Sequence, residues 1–120
     1  MVPTTKDKYY RQLLEFLRPI KPFNKLNNKD LTILSALVTE YMGLKGLKHE
    51  QRCQYVFSTD VRRRIAGDVG VSMAAFNNSI SKIKKVGLIE NKIYFSKSFI
   101  VNMRPQKKLE IIFRWKRENQ

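Results

Sequence analysis

Apolar positions recur at helical spacing over most of this 120-residue chain. In residues 4–18, Tyr10, Leu13, Leu14 and Leu17 fall three and four apart, the stripe of an amphipathic helix. Pro19 and Pro22 end it, and Pro19-Ile20-Lys21-Pro22-Phe23-Asn24 reads as an extended connector, because a residue before proline is pushed out of the helical region. A second helix starts from a cap at Asn27 or Asn28, carries Leu31, Leu34, Leu37, Val38 and Tyr41 on one face, and stops at Gly43. Residues 44–57 follow no single period. Leu44, Leu47 and Tyr55 do not repeat at one spacing, and the polar run Lys48-His49-Glu50-Gln51-Arg52 fits either a solvated helix turn or a loop.

From Ser58 the pattern sharpens. Ser58 or Thr59 caps a helix whose apolar positions Val61, Ile65 and Val69 repeat every four residues, and Gly70 closes it. After the tight turn Val71-Ser72, Ser72 caps a further helix with Met73, Phe76, Ile80 and Ile83 as its inner stripe, ending at Gly87. Two helices joined by so few residues fit a helix-turn-helix. Next, Leu88-Ile89, the polar Glu90-Asn91-Lys92 and Ile93-Tyr94-Phe95 predict two short strands around a turn, the pattern of a wing. Phe99-Ile100-Val101 reads as another strand and Arg104-Pro105-Gln106-Lys107-Lys108 as a turn. Leu109, Ile111, Phe113 and Trp115 then alternate with Glu110, Ile112, Arg114 and Lys116, which predicts a C-terminal strand. Such a strand needs a partner, beside the wing or on another chain, since an unpaired edge invites aggregation.

Charge changes the picture. Lys and Arg total 24 against 10 Asp and Glu, a net +14, yet 42% hydrophobic residues with only 5 Gly and 4 Pro suffice for a core, so the surplus does not mark a disordered basic tail. It is spread over the chain: +4 in residues 1–30, +1 in 31–57, +5 in 58–98 and +4 in 104–120. A surface of this kind attracts polyanions through phosphate neutralisation and counterion release. The competing reading is a solvated face, or one that meets acidic protein neighbours in an assembly. No apolar run approaches the roughly 18 residues of a membrane span, and the N-terminal residues interleave charges with apolar positions rather than forming a secretion signal. The single cysteine, Cys53, has no internal disulfide partner, which fits a reducing compartment. A cytoplasmic protein without membrane partners is expected, with a virion as the alternative location.

On a 100° wheel the helix from Met73 to Val86 turns Ala74, Asn78, Ser81 and Lys85 away from its apolar stripe, with Asn77, Lys82 and Lys84 flanking them. Asn, Lys and Ser are residue types that pair with base edges in a major groove, and a small residue such as Ala74 permits close approach. Arg62, Arg63 and Arg64 fan over more than half of the preceding helix, so one or two can bind phosphate while the others meet solvent or a neighbouring carboxylate such as Asp60 or Asp68. Lys92 stands at the wing tip as a further phosphate or minor-groove contact. His49 and Cys53 lie four apart, but two soft ligands without a third make a poor zinc site, and no metal is expected. Gly43-Leu44-Lys45-Gly46 matches a bare G-x-x-G without the flanking elements of an RNA-clamping loop. The aromatics Phe95, Phe99, Phe113 and Trp115 read as core rather than as base-stacking platforms. No phosphate-binding Walker loop, nucleophile elbow or dinucleotide fingerprint is visible, so no enzyme activity, cofactor or small-molecule substrate is expected.

The run from Ser58 to Phe95, with Ile65-Ala66, the Gly70-Val71-Ser72 turn and the ending Ile83-Lys84-Lys85-Val86-Gly87-Leu88-Ile89, resembles the winged helix-turn-helix domains of plasmid replication initiators, transcription regulators and small tailed-bacteriophage proteins. The likeness covers about a third of the chain. It implies an α+β fold in which residues 1–57 form N-terminal helices, 58–95 the winged core and 96–120 a C-terminal strand extension. It also implies that Ala74, Asn77, Asn78, Ser81, Lys82 and Lys85 face the groove of double-stranded DNA, for a role in replication or transcription. Small phage proteins of this type equally allow a non-enzymatic virion component, a head-to-tail or connector protein that docks other phage proteins or copies of itself.

Overall fold

In the computed structural model the described residues, 6–90 and 94–103, form six α-helices and one antiparallel strand pair. Helix α1 spans Lys6–Leu17 and buries Tyr10, Leu13, Leu14 and Leu17. Helix α2, Asn28–Met42, is the centre of the packing, with Leu31, Ile33, Leu34, Leu37 and Val38 fully buried and α1, α3, α4 and α5 all against it. Asn27 caps α2. Its side chain accepts from the Asp30 N–H at 2.8 Å, while the Asp30 carboxylate accepts from the Asn27 N–H at 3.1 Å.

The link between α1 and α2 is not extended. Phe23–Lys25 form a 3-10 turn, the Lys21–Pro22 peptide is cis, and the Ile20 N–H donates to the Leu17 carbonyl at 2.8 Å. Prolines exclude a continued helix here, but burial of Phe23 and Leu26 draws the link into a compact turn.

Helix α3, His49–Val56, resolves the ambiguous stretch. The Gln51 side chain accepts from the Lys48 N–H at its start, and the Arg52 Nε donates back to the Leu47 carbonyl at 3.0 Å. Helix α4, Thr59–Val69, follows directly. Ser58 occupies its N-cap position, but its hydroxyl donates to the Tyr55 carbonyl at 2.7 Å instead of capping the helix. At the far end Gly70 takes φ +85°, the left-handed conformation in which the N–H groups of Gly70 and Val71 both reach the Ala66 carbonyl at 2.9 Å. The turn then delivers Ser72, whose hydroxyl accepts from the Ala75 N–H at 3.1 Å and starts α5, Met73–Lys85.

Strands β1, Ile89–Glu90, and β2, Tyr94–Phe95, pair antiparallel with Ile89 opposite Phe95 and Glu90 opposite Tyr94. Phe95 is the plug of this region. Its ring lies 5.6 Å from Tyr41, 5.1 Å from Phe57 and 5.8 Å from Phe99, centroid to centroid. Both Phe95 and Phe99 belong to the core, whereas Phe113 and Trp115 lie outside the described residues.

The strand expected at Phe99-Ile100-Val101 is instead part of helix α6, Lys97–Met103. Phe99, Ile100 and Met103 are buried while Val101 is 54% exposed, a helical period that three adjacent apolar residues conceal. The Ser96 hydroxyl accepts from the Phe99 N–H at 3.4 Å at its start. The turn expected at 104–108 and the strand at 109–116 lie outside the described residues. No helix among the described residues is long and apolar enough to cross a membrane.

The two glycines of α4 and its cap respond oppositely to a side chain. Gly70→Ala forces a Cβ into the left-handed region and is expected to lower stability by about 1–2 kcal/mol. Gly67, inside α4 with open space around it, is expected to gain roughly 0.5–1 kcal/mol as alanine. Urea unfolding of the two variants checks both signs.

Candidate nucleic-acid interface

Helix α5 sorts its side chains into three sectors. Phe76, Ser79, Ile80 and Ile83 are buried, and Ala74, Asn77, Asn78, Ser81, Lys82, Lys84 and Lys85 are all exposed. The wheel places Ala74, Asn78, Ser81 and Lys85 opposite the core, so this face carries no large apolar group. The last turn holds Lys82, Lys84 and Lys85, where the negative end of the helix dipole favours cations.

Each flank is tied to a different helix. On one side, the Lys82 ammonium lies 2.5 Å from the Asp30 carboxylate, and the Ser79 hydroxyl donates to the other carboxylate oxygen at 2.7 Å. Asp30 is completely buried at the start of α2. Burial works against its charge, but hydrogen bonds from Lys82, Ser79 and the Asn27 N–H, together with the Lys82 charge, outweigh it and hold the carboxyl below the ordinary 3.8. On the other side, the Arg62 Nη1 donates to the Asn77 Oδ1 across the α4–α5 junction at 3.4 Å.

The three arginines therefore separate. Arg62 turns to α5, and Arg63 is exposed. Arg64 grips Glu40 of α2 with two hydrogen bonds of 2.7 and 3.2 Å, which raises the pKa of its guanidinium. Its carboxylate partner is thus Glu40 rather than Asp60 or Asp68, on the rim of an open groove of about 460 Å³ between α1, α2 and α4. Lys92 lies outside the described residues, while the flanking strands of its turn are in place.

Asp30 anchors Lys82, Glu40 anchors Arg64 and Ser79 donates to Asp30, none of which the spacing of the basic residues themselves indicates. The Asn27-x-x-Asp30 spacing was the available signal, since it matches a capping box, but nothing local pointed to partners 49 residues away. The pair His49 and Cys53 shares a face of α3, as its spacing implied. His49 Nδ1 is 2.7 Å from the Tyr41 hydroxyl, and the Cys53 sulfur is 3.7 Å from His49 Nε2. Burial pushes the Cys53 thiol up, away from a reactive thiolate. Among the described residues no three His, Cys, Asp or Glu side chains cluster as metal ligands. Gly43-Leu44-Lys45-Gly46 forms the link from α2 to α3.

The Asp30 knot has a pH signature. A carboxyl whose folded pKa lies below its unfolded value contributes stability that is complete above 3.8 and is lost as pH falls through the folded value. Unfolding free energy measured from pH 7 down to 2 is therefore expected to drop below pH 3.8. Asp30→Asn is expected to cost about 2 kcal/mol at pH 7 and to flatten that acid limb.

In comparison with known proteins, the chain matches no family model, no curated protein and no solved structure.

Proposed function

We propose that this chain is a non-enzymatic double-stranded DNA-binding protein of replication or transcription, a winged helix-turn-helix that lays α5 in the major groove. The observation that carries the reading is the outward face of α5, where Ala74, Asn78, Ser81 and Lys85 stand exposed on a helix braced on both flanks. A polar helix face tied on both flanks beside a short strand pair supplies what base reading needs: hydrogen-bonding side chains in a fixed register. The net +14 charge supplies the sequence-independent attraction. Arg63, Lys84 and, outside the described residues, Lys92 are the phosphate contacts of this arrangement. Lys82 is assigned to Asp30 rather than to DNA, because its ammonium is already paired there.

Selection from a random duplex pool across a salt series, with mass measurement by size exclusion on the same sample, tests the reading. Enrichment of one sequence that persists at physiological salt is expected. Weak binding without preference, accompanied by a discrete ring-sized oligomer, overturns it in favour of a virion component. Asn78→Ala is expected to lower discrimination between selected and random DNA by about 1–3 kcal/mol while leaving random-DNA affinity unchanged. Arg63→Gln is expected to reduce the slope of log affinity against log salt by about 0.9, the value of one phosphate contact, while Lys82→Gln leaves that slope unchanged.

A further inference from the structure

We infer that Arg62 is a positioning residue for base selection: it fixes the orientation of the Asn77 carboxamide and does not itself bind a phosphate. The inference rests on the major-groove reading of α5. A guanidinium has donors and no acceptor, so the contact between Arg62 and Asn77 can be made only with the carbonyl end of the amide. That assignment follows from chemistry alone and leaves the Asn77 NH2 group turned away from Arg62. An unrestrained carboxamide flips to offer either a donor or an acceptor, and so adapts to several base edges. One held by its oxygen offers a single arrangement and rejects bases that do not match it.

The placement of Arg62 supports this role over a phosphate contact. Unlike the exposed Arg63 and Arg64, it is half-buried, and its Nε is enclosed with no hydrogen-bond partner among the described residues. An enclosed donor without an acceptor is a cost to the fold, so hydrogen bonding at Nε does not explain why the side chain reaches across to α5. Among the described residues the polar contact of its guanidinium is with Asn77 of α5. Asn78, one residue on, is exposed with no such brace among the described residues, which makes Asn77 the stricter reader of the two.

The test compares wild type, Arg62→Met, Asn77→Ala and the double variant by selection from a random duplex pool, with affinities for the winning site measured over a salt series. Methionine keeps the length of the side chain and removes the unpartnered donor, so the variant is expected to fold as wild type does, which thermal unfolding verifies. Arg62→Met and Asn77→Ala are each expected to erase preference at the same base pair, by about tenfold or more, and the double variant to lose no more than Asn77→Ala alone. The salt slope of Arg62→Met is expected to equal that of wild type. A salt slope reduced by about 0.9, with every base preference retained, makes Arg62 a phosphate contact and overturns the inference while the DNA reading stands. Additive losses at different base pairs overturn it in the same way. If wild type itself enriches no sequence, the DNA reading fails and the inference falls with it.

Discussion

A carboxylate removed from water is the constraint around which this fold is arranged. Asp30 is completely buried, and an unpaired charge in that position would cost several kcal/mol. It is tolerated because three donors converge on it: the Asn27 N–H from its own helix start, and the Ser79 hydroxyl and Lys82 ammonium from α5. Hydrophobic packing of α5 on α2 tolerates small rotations and slides, whereas the two contacts from Ser79 and Lys82 to one buried carboxylate do not. The knot thus fixes the rotation of α5 about its own axis, and with it which residues face outward.

The opposite flank is held more lightly. Arg62 reaches Asn77 over 3.4 Å, at the long end of a hydrogen bond, while Arg64 braces α4 against α2 through Glu40. The triple arginine run is therefore not one basic patch. Successive residues on a helix point 100° apart, so Arg62 and Arg64 meet different neighbours, and Arg63 is exposed with no side-chain partner among the described residues. Charge counted along the sequence overstates the charge offered to any one partner for this reason.

Legibility in the sequence followed the locality of the interactions. Helices α1, α2, α4 and α5 announced themselves because Leu13–Leu17, Leu31–Tyr41, Val61–Ile65 and Phe76–Ile83 bury a stripe and because Asn27, Ser72, Gly43 and Gly70 mark their ends. Helix α3 was obscure since only Cys53 and Val56 of its eight residues are buried, too few to set a period. Helix α6 was misread because Phe99, Ile100 and Val101 are adjacent apolar residues, two of them β-branched, and the decisive fourth position, Met103, lies beyond them. The outward face of α5 was legible as a wheel, but the fates of Lys82, Arg62 and Arg64 were not. Each depends on a partner on another element, Asp30, Asn77 or Glu40, which no local pattern encodes.

The strands β1 and β2 have two residues each, so their ladder contributes little to holding the hairpin. What holds it is the burial of Ile89 in β1 and Phe95 in β2, the latter wedged among Tyr41 of α2, Phe57 beyond α3 and Phe99 of α6. The hairpin thus behaves as a lever whose fulcrum lies in the helical core. A change at Phe57, more than thirty residues earlier in the chain, would tilt the strand pair while the pairing of Ile89 with Phe95 and Glu90 with Tyr94 survived, so evolution can re-aim this element without touching its sequence.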